Sequence, residues 1–450
     1  MAIRRLFIAN RGEIAVRILR TCRALGIETV LGVSEADRDS LGARMADRVL
    51  CLGPAQPAQS YLRVDTVVQA ALGSECDAIH PGYGFLSERA DLARLCEAES
   101  VIFIGPTADQ IEAVGDKLRA RAAAEAAGVP VIPGGAAGSP EEARMLADTI
   151  GMPLLVKAAG GGGGRGMKLV EHAGDLAATM DMASAEAEAA FGDARVYLER
   201  YVRSGRHIEV QVLGDGEGRV IHLGERDCSV QRRYQKLVEE TPAPHLPAAT
   251  RAAMHEAAVR FAARLSYRGA GTVEFLYDVP RDAFYFLEMN ARIQVEHPVT
   301  EAVTGIDLIA QQIAIAEGRG LVLSDIPCDG AAIECRINAE DPARDFAPSP
   351  GTVSAARWPT GEGIRIDTHI VDGARIPPFY DSMIAKVIAH GPDRATALAR
   401  LRAALAETRI AGVATNLAFQ QAVLADSDFA DGGVDTGFLA RFLDRAQAAA

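Results

Sequence analysis

The segment from Glu288 to Glu301 carries a dense set of side chains that could do chemistry. Its sequence is E-M-N-A-R-I-Q-V-E-H-P-V-T-E, and polar residues fall on every second position: Glu288, Asn290, Arg292, Gln294 and Glu296. If the segment is an extended strand, the alternation of side chains places all five on one face. A solvated strand face usually carries Lys, Thr and Ser, whereas this face combines carboxylates, amides and a guanidinium. That combination favours a hard metal ion bound beside an anion.

The residues before this segment predict a β-hairpin. T-V-E-F-L-Y and F-Y-F-L-E flank the turn-like stretch D-V-P-R-D-A. If Tyr277 pairs with Phe284 or Tyr285, Glu274 lies near Glu288 across the ladder. Two carboxylates in an apolar sheet repel each other, and a divalent cation between them removes that cost. Because Mg²⁺ prefers carboxylates together with phosphate oxygens and water, the hairpin indicates a magnesium–nucleotide site.

A run of glycines follows the apolar stretch P-L-L-V-K-A-A. The pattern G-x-G-x-x-G matches at Gly161, Gly163 and Gly166, but a strand-like M-K-L-V follows it instead of a helix. A dinucleotide site is therefore not indicated, and without G-K-[ST] the run is not a Walker A loop. We interpret it as a β-hairpin whose mobile glycine tip closes over phosphates, with Lys157 and Arg165 adding cations. A flexible linker is the alternative.

Bulk composition limits the class of protein. The chain has 450 residues, which is too many for one core, and its net charge of −13 argues against nucleic-acid binding. We see no signal peptide and no apolar run of transmembrane length, so we expect a cytoplasmic protein with no membrane contact. The seven cysteines are scattered without C-x-x-C spacing, which fits a reducing compartment.

Lysine is rare in this chain, because almost all of its basic residues are arginines. It occurs at five positions: Lys117, Lys157, Lys168, Lys236 and Lys386. Lys117, Lys157 and Lys236 lie in motifs where a compact ammonium could be needed. Lys168 and Lys386 lie in strand-like runs and could be incidental.

Eight motifs occur in an order that resembles the biotin carboxylase family, the ATP-grasp subunits of biotin-dependent carboxylases. They are N-R-G-E-I-A, H-P-G-Y-G-F-L-S-E, G-D-K, K-A-A-G-G-G-G-G-R-G-M, E-R-D-C-S-V-Q-R-R-Y-Q-K, E-M-N-A-R-I-Q-V-E-H-P-V-T-E, E-C-R-I-N-A-E and P-P-F-Y-D-S-M. The resemblance covers nearly the whole chain and implies an ATP-grasp fold that mixes α/β and α+β parts. We expect a Rossmann-like N-terminal domain at 1–114, an ATP-grasp domain at 115–330 with a mobile glycine-rich lid at about 133–203, and a C-terminal biotin carboxylase domain at 331–446.

The resemblance also implies roles for individual residues. ATP would be bound by Lys117, Lys157, Gly162, Gly163, Gly164, Gly166, Glu199, Val202, His207, Gln231, Glu274 and Glu288. Divalent metal, Mg²⁺ or Mn²⁺, would be held by Glu274, Glu288 and Asn290. Bicarbonate would be bound by Arg292, Gln294, Val295 and Lys236. Biotin would be bound by Tyr83, Gly84 and Arg336. Catalysis would rest on Glu296 as general base together with Arg292, Arg336 and Lys236.

The activity implied is ATP-dependent carboxylation of biotin with bicarbonate, through carboxyphosphate, to give N1-carboxybiotin, ADP and phosphate. Biotin would be presented by a separate carrier protein, and a separate carboxyltransferase would complete the overall reaction. The resemblance implies a homodimer of the acetyl-CoA carboxylase type, which points to fatty acid biosynthesis, although the sequence does not name the final carboxyl acceptor. Carbamoyl-phosphate and purine-pathway ATP-grasp enzymes, and an inactive binding subunit, are the rival interpretations.

Two positions depart from the pattern of the family. Tyr234 stands where relatives usually carry His or Asn, which puts a side-chain contact to phosphate there in doubt. Arg200 stands where Lys is common, and we expect little effect because the adenine contacts nearby are mostly made by the backbone.

Overall fold

The computed structural model describes residues 2–137, 139–158, 167–321, 323 and 326–448. The N-terminal part is a parallel five-stranded sheet with helices on its faces. Its strands are β1 (Arg5–Ile8), β2 (Glu28–Ser34), β3 (Arg48–Gly53), β4 (Ala78–His80) and β5 (Ile102–Phe103), in the order β3-β2-β1-β4-β5. Its helices are α1 (Gly12–Leu25), α2 (Leu41–Met45), α3 (Val64–Gly73), α4 (Ala90–Ala98) and α5 (Ala108–Gly115).

The N-terminal part begins with strand β1, helix α1 and strand β2, as the expected Rossmann-like domain requires. Helix α1 buries one face, including Ile14, Ile18 and Cys22, against the sheet. It ends at Gly26, whose left-handed φ of 70° suits a residue without a side chain. This α/β layer brings the loop after β4, which contains Tyr83, to the same edge of the sheet as the start of α1.

A small four-stranded sheet and three helices form the next part of the chain. Its elements are α6 (Lys117–Ala126), β6 (Gly134–Ala136), α7 (Pro140–Ile150), β7 (Leu154–Ala158), β8 (Lys168–Val170), α8 (Leu176–Phe191) and β9 (Val196–Arg200), with strand order β6-β9-β7-β8. Leu154, Val156, Ala183 and Leu198 pack in a separate core there. The predicted hairpin strands are confirmed by the antiparallel pairing of β7 with β8. The expected tip, with Gly162, Gly163, Gly164 and Gly166, lies outside the described residues.

The rest of the chain builds an eight-stranded antiparallel sheet and its flanking elements. The central elements are β10 (Gly205–Asp215), β11 (Val220–Arg232), β12 (Gln235–Thr241), α9 (Ala248–Arg264), β13 (Arg268–Asp278), β14 (Ala283–Asn290), α10 (His297–Thr304) and α11 (Leu308–Ala316). The last strands are β15 (Ala331–Asn338), β16 (Glu340–Asp341), β17 (Ala347–Pro348), β18 (Gly351–Thr352), β19 (Ala355–Arg357), β20 (Ile364–Thr368), β21 (Arg375–Ile376), β22 (Met383–Gly391) and β23 (Arg409–Ala411). The last helices are α12 (Arg394–Glu407), α13 (Leu417–Ala425), α14 (Ser427–Asp431) and α15 (Phe438–Ala448).

The large sheet runs without a break from the centre of the chain into its C-terminal part. Its order is β14-β13-β10-β11-β12-β15-β22-β20, and the junction is the pairing of β12 with β15, with Val238 opposite Cys335. Helix α9 covers β10 and β11, while α12 covers β15 and β22. One continuous sheet therefore positions residues that are more than one hundred positions apart in sequence.

Two expectations about the hairpin and its following segment have different outcomes. The hairpin is confirmed: Tyr277 pairs with Phe284, and Glu274 pairs with Glu288. The expectation of an extended strand through Glu296 is wrong, because β14 ends at Asn290. The chain then bends, with the Ala291 N–H donating to Glu88 at 3.1 Å, and enters α10.

Helix length and composition also bear on the membrane expectation. Within the part of the chain that the structure describes, no single helix is long and apolar enough to cross a membrane. Only α10 and α11 taken together reach the required length and composition, and they are bent by 94° at their junction.

Close packing between β10 and β13 generates a stability prediction. A Cβ added at Gly214 would lie 2.0 Å from the Tyr267 carbonyl oxygen, so Gly214→Ala must push the backbone apart. We expect the thermal midpoint to fall by roughly 5 °C, because overpacking a core costs about 1–3 kcal/mol. Gly73→Ala is the matched control, because a Cβ there meets nothing within 4 Å. Equal midpoints for the two variants, by thermal melting, would contradict this packing constraint.

Candidate active site

Charged side chains line up across four neighbouring strands of the large sheet. Glu209 on β10 lies opposite Arg226 on β11 and opposite Glu274 on β13, and Glu274 lies opposite Glu288 on β14. The Arg226 Nε donates to Glu209 at 2.6 Å, and both side chains are fully buried. Three carboxylates in register on adjacent strands repel one another, so this row requires cations to be stable.

The Lys236 ammonium supplies the central cation. Its Nζ donates to Glu209 at 2.5 Å, to Glu274 at 3.0 Å and to Glu296 at 2.7 Å. Burial alone would lower the pKa of this amine, but the three carboxylates outweigh burial and raise it well above its usual value. Lys236 therefore remains an ammonium and joins strands β10, β12 and β13 to the segment before α10.

Glu296 is a buried carboxylate held between two cations. Lys236 donates to one of its oxygens, and the Arg336 Nη2 donates to the other at 3.0 Å. Burial favours the neutral acid, but Lys236, Arg336 and Arg226 hold the pKa of Glu296 well below its usual range. The arrangement keeps an anionic oxygen pair ready to accept a proton.

Arg336 is oriented by a second carboxylate behind it. Its Nε donates to Glu239 at 2.6 Å. Burial raises the pKa of Glu239 to about 7, because it outweighs the stabilising charge of Arg336. Glu334 lies opposite Glu239 on β15, is fully buried, and has a pKa raised well above its usual value by burial. Glu239 therefore fixes the direction of the Arg336 guanidinium, while Glu334 is held neutral.

Arg292 gathers the polar residues of the bend that follows β14. Its guanidinium donates to Asn290 and to Gln294, each at 2.7 Å, and to Glu88 at 3.0 Å. The Gln294 amide in turn donates to Glu274 at 3.3 Å. The side chains predicted to share a strand face are therefore still close together. They meet because Arg292 donates to both Asn290 and Gln294, and not because the segment is an extended strand.

Four of the residues expected to contact a nucleotide, Lys117, Lys157, Glu199 and Val202, belong to the small sheet or to the elements next to it. Lys157 on β7 pairs with Glu199 on β9. Lys117 begins α6, and burial is the main reason its pKa is lowered, although Glu288 opposes that shift. Val202 follows β9 and is buried.

His207 and Gln231 connect the nucleotide side to the row of carboxylates. The Gln231 amide nitrogen lies 3.0 Å from His207 Nδ1, and His207 Nε2 lies 3.2 Å from Glu274. Burial lowers the pKa of His207, but the charge of Glu274 reverses the effect and raises it overall. The imidazole of His207 thus lies next to the Glu274–Glu288 pair, which favours its protonated form.

The residues expected to hold a divalent metal fit that task in their chemistry. Glu288 has its pKa raised by burial and by the charge of Glu274, and none of the described residues donates a hydrogen bond to its carboxylate. Asn290 is buried, and its Oδ1, which accepts from Arg292 at 2.7 Å, is the amide atom that could ligate a cation. A divalent cation at Glu274 and Glu288 would relieve the repulsion between them.

Tyr83 and Gly84 lie in the loop after β4 of the N-terminal sheet. The Tyr83 hydroxyl donates to Glu13 on α1, and burial and Glu13 raise the pKa of the phenol well above its usual value. Gly84 has a φ of 66°, which places it in the left-handed region that favours glycine. The positive charge of Arg336 opposes this rise in the pKa of Tyr83. Glu13, which accepts from Tyr83, also lies 3.1 Å from Lys386 on β22, so the loop contacts the C-terminal part of the large sheet through Glu13.

Sequence reasoning did not single out several residues of this cluster, among them Glu209, Arg226, Glu239 and Glu88. One signal was present, because R-H-I-E-V-Q places His207, Glu209 and Gln211 on alternating positions, and Gln211 accepts from Arg226 at 2.8 Å. Polar residues at every second position were the signal that selected Glu288 and Asn290, so the same signal could have identified Glu209.

The two departures from the family pattern lie on either side of the cluster. Tyr234 occupies the turn between β11 and β12 with a φ of 66°, and 59% of its surface is exposed. Arg200 ends β9 and donates to the Tyr285 hydroxyl at 2.7 Å, so its guanidinium points to β14.

Three family models together match most of the chain. The model described as the biotin carboxylase N-terminal domain matches residues 2–111, and that of the biotin carboxylase C-terminal domain matches residues 334–441. Between them, residues 116–324 match the ATP binding domain of the carbamoyl-phosphate synthase L chain. The middle model is named for carbamoyl-phosphate synthase, one of the rival enzymes. The two flanking models are specific to biotin carboxylase and therefore favour that family.

Similar proteins cover the chain almost from end to end. Biotin carboxylase 1 of Bacillus subtilis is 51% identical over 97% of this chain and 98% of its own. A solved biotin carboxylase complex with β,γ-ATP from Campylobacter jejuni is 46% identical, with a TM-score of 0.93 over 98% of this chain and 99% of its own. The biotin carboxylase domain dimer of the Hydrogenobacter thermophilus 2-oxoglutarate carboxylase, solved with MgADP, ADP and bicarbonate, is 44% identical, with a TM-score of 0.93 over 98% of each chain.

The Glu274–Glu288 pair generates a metal prediction. Glu288→Ala removes the carboxylate that no protein donor satisfies among the described residues, so we expect the Mg²⁺ concentration needed for half-maximal ATP cleavage to rise roughly 10–100-fold. The maximal rate should also fall strongly. Glu362→Ala, at an exposed surface position paired with Arg400, is the matched control and should leave both quantities unchanged. An unchanged Mg²⁺ dependence in Glu288→Ala, measured by initial rates, would remove Glu288 from the metal site.

Proposed function

The chain belongs to the biotin carboxylase family, and we propose that the side chains around Lys236 carry out the reaction of that family. The protein is an ATP-grasp ligase that carboxylates biotin at the expense of ATP, the first half-reaction of biotin-dependent carboxylases. The observation that carries the assignment of residues is the buried Glu296 carboxylate, held between Lys236 and Arg336.

Bicarbonate would bind at the bend that follows β14. Arg292 and Lys236 supply positive charge there, and Gln294 and the Val295 backbone supply hydrogen bonds. Bicarbonate is a poor nucleophile and an anion that must approach a polyphosphate. Fixed cations lower the repulsion and hold its oxygen in line with the γ-phosphorus. That oxygen forms the new P–O bond of carboxyphosphate while the bond to ADP breaks.

Lys117, Lys157, His207 and Gln231 would surround the nucleotide phosphates, and Glu199 and Val202 would contact the adenine. Gly162, Gly163, Gly164 and Gly166 belong to the expected lid tip outside the described residues. When bound at Glu274, Glu288 and Asn290, Mg²⁺ or Mn²⁺ would supply charge neutralisation on the transferring phosphoryl group. Positive charge thus comes from three directions to the place where negative charge develops.

Biotin would be deprotonated and carboxylated on the other side of Glu296. Carboxyphosphate breaks down to CO₂ and phosphate, keeping its own proton on phosphate. Glu296 then takes the N1 proton of biotin, Arg336 stabilises the charge that develops on the ureido oxygen, and N1 attacks CO₂. Tyr83 and Gly84 would contact the ureido ring.

The strength of Glu296 as a base depends on which partners its cations have. In this structure Lys236 and Arg336 hold its pKa low against the opposite effect of burial. If the phosphate released from carboxyphosphate takes up Lys236 and the ureido oxygen takes up Arg336, the effect of burial on Glu296 would gain weight and its pKa would rise. The base would then become stronger only when that phosphate and biotin are both in place.

We propose domains at 1–114, 115–330 and 331–446, with the lid at about 133–203. The separate core of the small sheet supports treating the lid as a unit. The pairing of β12 with β15 crosses the boundary at 330 within a single sheet, so the second and third domains would share a rigid frame.

We propose that biotin reaches this site on a separate carrier protein, with a carboxyltransferase as a further chain. A carrier hairpin presents its lysine at an exposed tip, in an M-K-M-like sequence. The near match Met167-Lys168-Leu169 instead starts strand β8, where Lys168 pairs with Glu186. We further propose a homodimer, by likeness to the solved relative described as a dimer. A cytoplasmic location is supported by seven cysteines that are all unpaired.

The general-base role of Glu296 generates a kinetic prediction. Glu296→Gln keeps the shape of the side chain but removes its charge, so biotin-dependent turnover should fall about 100-fold or more. The dissociation constant of MgADP should stay within about twofold. The assay is bicarbonate-dependent ATP cleavage with and without biotin, first on the wild-type protein as the test of the overall function, with Glu112→Gln as a surface control. Carboxylation by Glu296→Gln at the wild-type rate would refute the role.

The separate-carrier proposal generates a mass prediction. Co-expression with a biotin ligase should leave the intact mass of this chain unchanged, while a carrier domain expressed alongside gains one biotin. Carrier-bound biotin should also be carboxylated far more efficiently than free biotin, because tethering and docking raise its effective concentration. A biotin-sized mass increase on this chain would refute the two-component arrangement.

A further inference from the structure

Lys386 is a fully buried lysine that has no part in the proposed reaction so far. It lies on β22, opposite Arg336 of β15 on one side and Asp367 of β20 on the other. Burying an ammonium is costly unless it is paired and hydrogen-bonded, and the next residues of β22, Val387 and Ile388, are apolar. A chain that uses lysine at only five positions keeps one of them here.

The ammonium of Lys386 reaches the segment that carries the proposed base. Its Nζ donates to the Val295 carbonyl oxygen at 2.7 Å, which fixes the peptide joining Val295 to Glu296. The preceding peptide is fixed separately, because the Gln294 carbonyl oxygen lies 2.7 Å from His297 Nδ1. Both peptides that flank Val295 are therefore held by buried side chains.

The same ammonium also reaches the residue proposed to contact biotin. Lys386 Nζ lies 3.1 Å from Glu13 Oε1, and this oxygen also accepts the hydrogen bond of the Tyr83 hydroxyl. Asp367 is farther away, at 3.9 Å, and is paired with Arg365 at 2.7 Å. Lys386 thus links the base segment to the Tyr83 loop through a single carboxylate.

We propose that Lys386 is a positioning residue that holds the base Glu296 and the biotin contact Tyr83 in one fixed geometry. This inference rests on the proposed function, since it uses the roles given there to Glu296 and Tyr83. Among the described residues, Lys386 makes no hydrogen bond or ion pair with Arg292, Gln294 or Lys236. Its one contact with the groups proposed for bicarbonate is to the Val295 carbonyl oxygen, whereas an anion would accept from the Val295 N–H. Loss of Lys386 should therefore affect the biotin step and spare the nucleotide step.

The test uses a charge-balanced variant, because Lys386→Met alone would leave Glu13 as a buried unpaired anion. In the double variant Lys386→Met with Glu13→Gln, we expect biotin-dependent ATP cleavage to fall at least about tenfold, since small displacements of catalytic groups are costly. The Michaelis constant for free biotin should rise. Bicarbonate-dependent ATP cleavage without biotin and the dissociation constant of MgADP should both stay within about twofold.

Two single variants sharpen the result. Glu13→Gln keeps an oxygen that can accept from Tyr83 and leaves the contact of Lys386 with Val295 in place, so it should raise the biotin constant with little change in turnover. Arg63→Met is the surface control, because Arg63 pairs with Asp65 at the surface of the N-terminal part, outside the proposed lid, and should leave all four quantities unchanged.

The outcomes separate the inference from the function on which it rests. If the double variant loses MgADP binding or fails to fold, Lys386 has a structural role and the inference is overturned. If the double variant carboxylates biotin like the wild type, the inference is overturned while the proposed function stands. If the wild-type protein shows no bicarbonate-dependent ATP cleavage, the proposed function fails and the inference fails with it.

Discussion

The ammonium of Lys236 is the interaction on which the whole site depends. It hydrogen-bonds to Glu209, Glu274 and Glu296, which come from two strands and a bend and would repel one another without it. With Lys236 and Arg336 in place, acidic groups can be concentrated in the interior of a sheet at a tolerable cost. The same cations would bind the anionic substrates, so the structure needs no separate set of charges for its own stability.

The large sheet explains how residues so distant in sequence can share one site. Because β12 pairs with β15, the arginine behind the base comes from the C-terminal part of the chain while the lysine in front of it comes from the centre. The N-terminal sheet adds Tyr83 from a loop, and the small sheet adds Lys157 from strand β7. The large sheet thus carries the side chains around Glu296, and the N-terminal and small sheets add the residues proposed to contact biotin and ATP.

Local features of the site were predictable from sequence, and long-range ones were not. The turn D-V-P-R-D-A sets the register of its own hairpin, so the pairing of Glu274 with Glu288 followed from a few neighbouring residues. The alternation from Glu288 to Glu296 identified the correct side chains but suggested a strand where the chain bends after Asn290. Glu239 was not singled out and Lys386 was left as possibly incidental, because their partners Arg336 and Val295 are 97 and 91 residues away. A pairing over that distance leaves no periodicity to detect.

The raised pKa of Lys236 has a chemical consequence if, as proposed above, CO₂ is released beside it. A neutral amine is a nucleophile towards CO₂ and forms a carbamate, whereas an ammonium has no lone pair with which to attack. Three carboxylates keep Lys236 protonated, so this lysine is unable to compete with biotin for the reactive carbon. Guanidinium groups such as Arg292 and Arg336 are always protonated and are inert for the same reason. The cations of this site are thereby protected against self-modification by the carboxyl group that they help to deliver.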